Sequence, residues 1–283
     1  MIIFHHNDLD GKCAAHLIYD KFKESVQDIK FIELIYGRTV DIPEITTDEF
    51  VYVVDYSASP EFIWQLRNKT ANVVFIDHHK TTLDNFGKYP KDLKGIISTS
   101  YCGAVLTYLY LNNETEAPSN LNLDNIPKYL RYVDAADRQD FTTISSYESR
   151  VFMCAALTHN LSHTSKFWNY ITDDAYFNFF MSTGNIILKS DICRCHNRCY
   201  NYGFECEFEG YKAFAVNDVI FRDYFKTVDT AQYDILIGFV YNGKFWKYSL
   251  RSDTVDVEAI AKKYGGGGHK AAAGMELPEM ILK

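Results

Sequence analysis

Apolar residues in the first part of the chain fall in short, nearly continuous runs separated by amphipathic stretches. Met1–Phe4, Phe31–Ile35, Val51–Val54 and Val73–Ile76 are dominated by β-branched, aromatic and other apolar residues, the pattern of strands buried on both faces. Gly11–Lys23 places Ala14, Ala15, Leu17, Ile18 and Phe22 at the spacing of an amphipathic helix. Ser59 followed by Pro60 predicts a helix over Pro60–Arg67, with the serine as N-cap and the proline in the first turn. Strands separated by helices close right-handed into βαβ units. The pattern therefore predicts an α/β domain: a parallel sheet with helices on both faces.

From about Cys102 the periodicity turns helical, over Ala104–Leu111, Asn125–Ala136 and Ser149–Leu157, with a polar loop at Asn112–Asn122. Asp173 to about Asn201 reads as one long helical stretch whose only strong break is Gly184 and whose polar second half is a connector. After Gly203 short strands return, at Glu205–Phe208, Tyr211–Val216, Ile235–Tyr241 and Phe245–Leu250, with Asn242-Gly243 as a hairpin turn. These shifts predict a larger domain over 1–185, a linker helix over 186–203 and a smaller α/β domain over 204–283.

The 283 residues carry 29 Lys and Arg against 37 Asp and Glu, a formal net charge of -8. That balance argues against a basic groove for long nucleic acid and favours a small anionic substrate held by a few cations and metals. No apolar stretch reaches the roughly 18 residues of a membrane span, so a soluble, cytoplasmic protein is expected. Cys193, Cys195, Cys199 and Cys206 lack the spacing of a structural zinc knuckle and read as reduced thiols on or beside the linker helix.

The chemistry lies where strands end. His6, Asp8 and Asp10 alternate along an extended segment and share one side of it, and Gly11 then lets the backbone turn into a helix. Asp55 closes the third apolar run, and Asp77-His78-His79 closes the fourth. At the same end of a parallel sheet these carboxylates and imidazoles converge, a donor mixture suited to Mn²⁺, with Mg²⁺, Fe²⁺ or Co²⁺ as substitutes. Two ions about 3.5–4 Å apart activate a hydroxide for in-line attack on phosphorus and need a bridging carboxylate, for which Asp10 or Asp55 would serve. Asp77 is placed to orient one histidine by accepting its N–H. A further acid is expected from Asp134 or Asp137, three apart on one helix, with Asp137 preferred. In the second domain, Gly266, Gly267 and Gly268 with His269 form an anion-binding turn, and Arg251 ends a strand as a forked phosphate donor.

Taken in order, His6-Asn7-Asp8-Leu9-Asp10-Gly11, Asp55, Asp77-His78-His79, Asp134/Asp137, Ser249-Leu250-Arg251-Ser252 and the Gly265–Gly274 run resemble the motifs of DHH phosphoesterases with a DHHA1 C-terminal domain. The resemblance spans nearly the whole chain. It implies a DHH domain followed by a DHHA1 domain, and two Mn²⁺ ions held by His6, Asp8, Asp10, Asp55, His78 and Asp137, with Mg²⁺ or Co²⁺ as alternatives. It implies Asp10, Asp55 and His79 as catalytic residues, His79 contacting the scissile phosphate, and Arg251 and His269 binding substrate phosphate. The fourth motif departs from the usual pattern, because Asp137 precedes Arg138-Gln139 rather than Leu-Trp. The first motif most resembles the nanoRNase B branch, which implies hydrolysis of short oligonucleotides to mononucleotides, with no membrane partner and with room for a homodimer. The rival readings keep the chemistry and change the substrate to a linear or cyclic dinucleotide, 3′-phosphoadenosine 5′-phosphate or short polyphosphate, or remove turnover to leave a nucleotide sensor.

Overall fold

The computed structural model of the protein describes residues 1–220 and 224–282. The chain divides into two compact units, Met1–Ile187 and Leu188–Lys283. In the first, β1 (Ile2–His6) leads through α1 (Leu9–Phe22) to β2 (Lys30–Leu34), and β3 (Val51–Val54) leads through α2 (Pro60–Arg67) to β4 (Val73–Ile76). All four strands are parallel, in the order β2-β1-β3-β4. Alternation along the strands sends Ile3, Tyr52, Val54, Val74 and Ile76 to one face and Ile2, Phe4, Val51, Val53 and Phe75 to the other, and both sets are buried. Each such side chain contributes roughly 1.5–3 kcal/mol on burial, which is why these runs lack polar partners.

The remaining helices of this unit are α3 (Lys80–Asp84), α4 (Gly103–Leu111), α5 (Lys128–Arg138), α6 (Ser146–Ala156), α7 (Phe167–Tyr170) and α8 (Asp174–Tyr202). Helices α1, α4 and α5 cover the first face of the sheet, and Ile63 and Leu66 of α2 cover the second. Helix α6 starts before the expected Ser149, because Ser145 and Glu148 form a reciprocal capping box. Helix α8 runs unbroken through Gly184, and no separate linker helix begins at 186. Gly184 is a contact point, since a Cβ there would lie 2.1 Å from the carbonyl oxygen of Val151 in α6.

The second unit has β5 (Gly203–Phe208), β6 (Tyr211–Val216), β7 (Ile235–Tyr241), β8 (Trp246–Arg251), α9 (Val257–Lys263), β9 (Gly267–His269) and β10 (Ala272–Leu277). The sheet order is β5-β6-β7-β8-β10-β9, parallel only between β6 and β7. Val257, Ile260 and Ala261 of α9 pack on Ala213, Ile235, Ile237 and Leu250, while Cys195 and Cys199 near the end of α8 pack with Val216 and Ile220. All seven cysteines are free thiols. Among the described residues no helix is long and apolar enough to cross a membrane.

The glycine run differs from the expected anion turn. It enters β9, the edge partner of β10, with His269 opposite Ala272 and Gly268 opposite Ala273. A Cβ at Gly266 would lie 2.2 Å from the Gly274 carbonyl oxygen, and one at Gly268 2.5 Å from that of Ala272. Close approach of two backbones inside the sheet accounts for these two glycines without an anion.

Candidate metal centre

Strands β1 and β3 are neighbours whose connections leave in opposite directions, so the sheet has a switch point between them, the place where open α/β sheets bind ligands beyond their carboxyl ends. The β1–α1 turn is tight: a Cβ at Gly11 would sit 2.4 Å from the His6 carbonyl oxygen, and the Gly11 N–H caps onto Asp8 Oδ1 at 2.9 Å. This turn aims His6, Asp8 and Asp10 past the sheet, where Asp55 follows β3 and His78 follows β4.

Two donor sets result. His6, Asp8 and Asp55 form one, with His6 Nδ1 2.7 Å from Asp8 Oδ2 and 3.9 Å from Asp55 Oδ2. Asp10, His78 and Asp137 form the other, with His78 Nε2 3.3 Å from Asp137 Oδ2 and 3.9 Å from Asp10 Oδ2. The sets touch through Asp55 Oδ1, 3.1 Å from His78 Nε2. Asp55 also groups with His78 and His79, so it belongs to two clusters of possible ligands.

Asp55 carries further marks of a ligand. It is 1% exposed, and neither carboxylate oxygen has a hydrogen-bond partner. Its φ is 53°, a left-handed conformation that non-glycine residues seldom hold and that clusters at functional sites. Gly103 makes room for it, since a Cβ there would lie 2.5 Å from the Asp55 Cβ. Asp10 is held differently: its oxygens accept the N–H groups of Gly103 and Ala104 at 2.7 and 2.8 Å, anchoring it on the N-terminus of α4. Sequence reasoning missed this support. Its only local trace is a glycine opening a helix after Ser98-Thr99-Ser100-Tyr101-Cys102.

Burial pushes Asp10 and Asp55 well above the usual carboxylate range, and like charge adds to it, from Asp55 and Asp137 on Asp10 and from Asp8 and Asp137 on Asp55. Burial also raises Asp137, against the opposing pull of His78. Asp8 is only half-buried, and the close approach of the His6 ring with the Gly11 N–H hydrogen bond outweighs its desolvation and leaves it below its ordinary value. Carboxylates crowded this closely resist ionising together unless positive charge lies among them. Hard oxygens mixed with imidazoles and stripped of N–H donors at Asp55 fit divalent cations.

His79 is turned by its neighbours. Its Nδ1 donates to Asp77 Oδ1 at 2.7 Å, leaving Nε2 for another group, and Thr82 Oγ1 donates to the other Asp77 oxygen. Asp134, the alternative fourth-motif ligand, is occupied elsewhere: it accepts the Cys102 N–H at 2.6 Å and the Arg138 guanidinium at 3.1 Å. Two aromatic residues that the sequence did not single out border the cluster. Tyr36, in the turn after β2, stacks on Tyr56 with centroids 4.6 Å apart, and both rings flank His6. In the second unit Arg251 donates to its own strand through the Leu250 carbonyl at 2.8 Å, and His269 is exposed on the edge strand β9.

Fold and cluster together define a two-domain α/β protein with an acid-histidine centre at the carboxyl edge of a parallel sheet. The chain matches the DHH family, N-terminal domain, over residues 1–133 and the DHHA1 domain over residues 224–282. An uncharacterized protein of Acanthamoeba polyphaga mimivirus is 21% identical over 304 residues, covering 97% of this chain and 66% of that protein; the chain thus spans just under two thirds of its length. The pGpG-specific phosphodiesterase PggH of Vibrio cholerae shares the fold, with a TM-score of 0.55, 15% identity, and 98% of this chain and 93% of that one covered. An exopolyphosphatase-related protein of Bacteroides fragilis gives a TM-score of 0.42 at 13% identity, over 99% of this chain and 87% of that one.

Proposed function

We propose that the protein is a manganese-dependent phosphodiesterase that hydrolyses short oligonucleotides to mononucleotides. The observation that carries this reading is Asp55, a buried carboxylate in a left-handed conformation, without a hydrogen-bond donor, that groups with His6 and Asp8 on one side and with His78 and His79 on the other. His6, Asp8 and Asp55 would hold one ion and Asp10, His78 and Asp137 the other. Bound there, the pair supplies Lewis acidity and an activated water. The chain's own groups do the rest. Asp77 fixes the His79 ring so that Nε2 faces the scissile phosphate and donates to it when protonated. Arg251 and His269 are assigned to a substrate phosphate.

Within this reading the acidic net charge favours short substrates, since long nucleic acid needs a basic track. The deciding experiment offers purified protein, with Mn²⁺, a panel of 5′-labelled di- to pentanucleotides, cyclic dinucleotides, 3′-phosphoadenosine 5′-phosphate and short polyphosphate, with products read by length. Release of mononucleotides from the short RNAs is expected. An untouched panel would remove the hydrolase assignment, and turnover of polyphosphate alone would move the substrate out of the nucleotides. A linear dinucleotide is the substrate in the name of PggH, whose fold the chain shares, so dinucleotides are the second reading to separate.

A further inference from the structure

We infer that Tyr36, backed by Tyr56, is a stacking platform for a nucleobase of the substrate, so that this centre selects phosphoesters carrying a base over base-free polyphosphates or sugar phosphates. The inference rests on the hydrolase reading above and deepens it.

Tyr36 is 49% exposed although its surroundings fix it on three sides. One ring face lies on Tyr56 at an interplanar angle of 19°. Its ring meets those of His6 and His79 at steep angles of 64° and 71°, with centroids 5.2 and 6.2 Å away. Its hydroxyl accepts the Ser57 N–H at 3.1 Å, which ties the turn after β2 to the segment that carries Asp55. Gly37, at φ 79°, follows at once and turns the chain away.

A half-exposed aromatic ring normally keeps rotamer freedom that binding must remove. Here stacking and the Ser57 hydrogen bond have already removed it, and the ring lies within 6.2 Å of His79, the histidine assigned to the scissile phosphate. Every nucleobase presents a π-face, so a fixed ring binds bases without reading their edges. That suits an enzyme acting on short chains of any sequence. Polyphosphate has no group that gains from such a surface, and a cation-binding role is excluded because phenol rings add nothing to the Asp-His donor sets.

The test measures equilibrium binding of a 5′-phosphorylated dinucleotide and of its abasic counterpart, with Ca²⁺ in place of the catalytic metal, to the wild type, Tyr36→Leu and Tyr36→Phe. Base–aromatic stacking predicts that the wild type prefers the dinucleotide on the order of tenfold. Tyr36→Leu should bring that ratio towards one and Tyr36→Phe should keep it, which a general loosening of the turn would not do. Equal ratios in Tyr36→Leu and wild type, or no discrimination by the wild type, overturn the platform. Turnover of both ligands with Mn²⁺ separates the two ideas: equal hydrolysis of base-bearing and abasic diesters leaves the hydrolase and removes the platform. A base-dependent ratio without hydrolysis does the reverse.

Discussion

His5 and His6 are adjacent in β1 and end up in opposite chemistry. His6 enters the carboxylate cluster, 2.7 Å from Asp8, while His5 turns to the other side, its Nδ1 2.8 Å from the His6 carbonyl oxygen and its ring edge-on to Phe31 and His163. Behind it His16 donates to the His163 carbonyl oxygen at 2.7 Å and stacks on Trp168. Both regions gather imidazoles, but one surrounds them with buried acids and the other with rings and carbonyl groups. The first arrangement crowds carboxylates together and the second packs ring against ring. Histidine clustering alone therefore does not mark a metal centre; crowded acids with a donor-free carboxylate, Asp55, among them do.

Removing that carboxylate's charge gives the largest expected effect. Asparagine tolerates the left-handed φ of Asp55, so Asp55→Asn keeps the backbone and deletes the charge. Turnover should fall to background and Mn²⁺ affinity by at least about a hundredfold, more than loss of an outer partner costs. The metal-free protein should unfold at the same denaturant concentration or a higher one, because a desolvated carboxylate no longer opposes folding. Calorimetric Mn²⁺ titration beside urea unfolding in EDTA reads both quantities. Unchanged Mn²⁺ binding would erase the distinction between the two regions.

A subtler break goes through packing. Gly103→Ala would bring a Cβ to 2.5 Å from that of Asp55, within α4, whose N-terminal N–H groups hold Asp10. Overpacking of this kind costs about 1–3 kcal/mol. Mn²⁺ affinity should fall with it, since both acids move, whereas the rings of the rear cluster are untouched. Loss of stability with full metal affinity would show that the site relaxes around the methyl group.

The same division governs what the sequence discloses. Strands β3 and β4 match their apolar runs residue for residue, because burial on both faces leaves no other reading of Val51–Val54 or Val73–Ile76. Helix α2 and its Ser59 cap were equally legible from local chemistry. Apart from Asp137 on α5, the acids and histidines of the cluster were legible as strand-end residues, since parallel strands put their ends together. What no local pattern carried was the non-local support: Gly103 and Ala104 donating to Asp10, Asp134 drawn to Cys102, and Tyr36 laid on Tyr56. Strands β9 and β10 were missed for a related reason. Gly267-Gly268-His269 has no strand propensity, and its extended form comes from pairing with β10, which in turn pairs with β8.

The smallest effect is a pH dependence of opposite sign in the two regions. Burial, reinforced by His5 and His16, lowers His163 from 6.5 to about 4. Between those values the unfolded chain takes up a proton that the fold refuses, so the contribution of His163 is complete above pH 6.5 and is lost as pH falls towards 4. Asp10 and Asp55 act the other way in the metal-free protein. Their raised folded values mean the fold keeps protons that the unfolded chain gives up near 3.8, so their contribution is largest in acid and is lost as pH rises. Urea midpoints in EDTA from pH 7 to 4 should therefore show two slopes that partly cancel. His163→Gln should remove the acid-side loss and leave the gain from the carboxylates, whereas Asp55→Asn should diminish that gain and steepen the loss. A His163→Gln profile parallel to the wild type would mean that His163 titrates freely, and that the rear cluster does not hold its imidazoles neutral as the front one holds its acids.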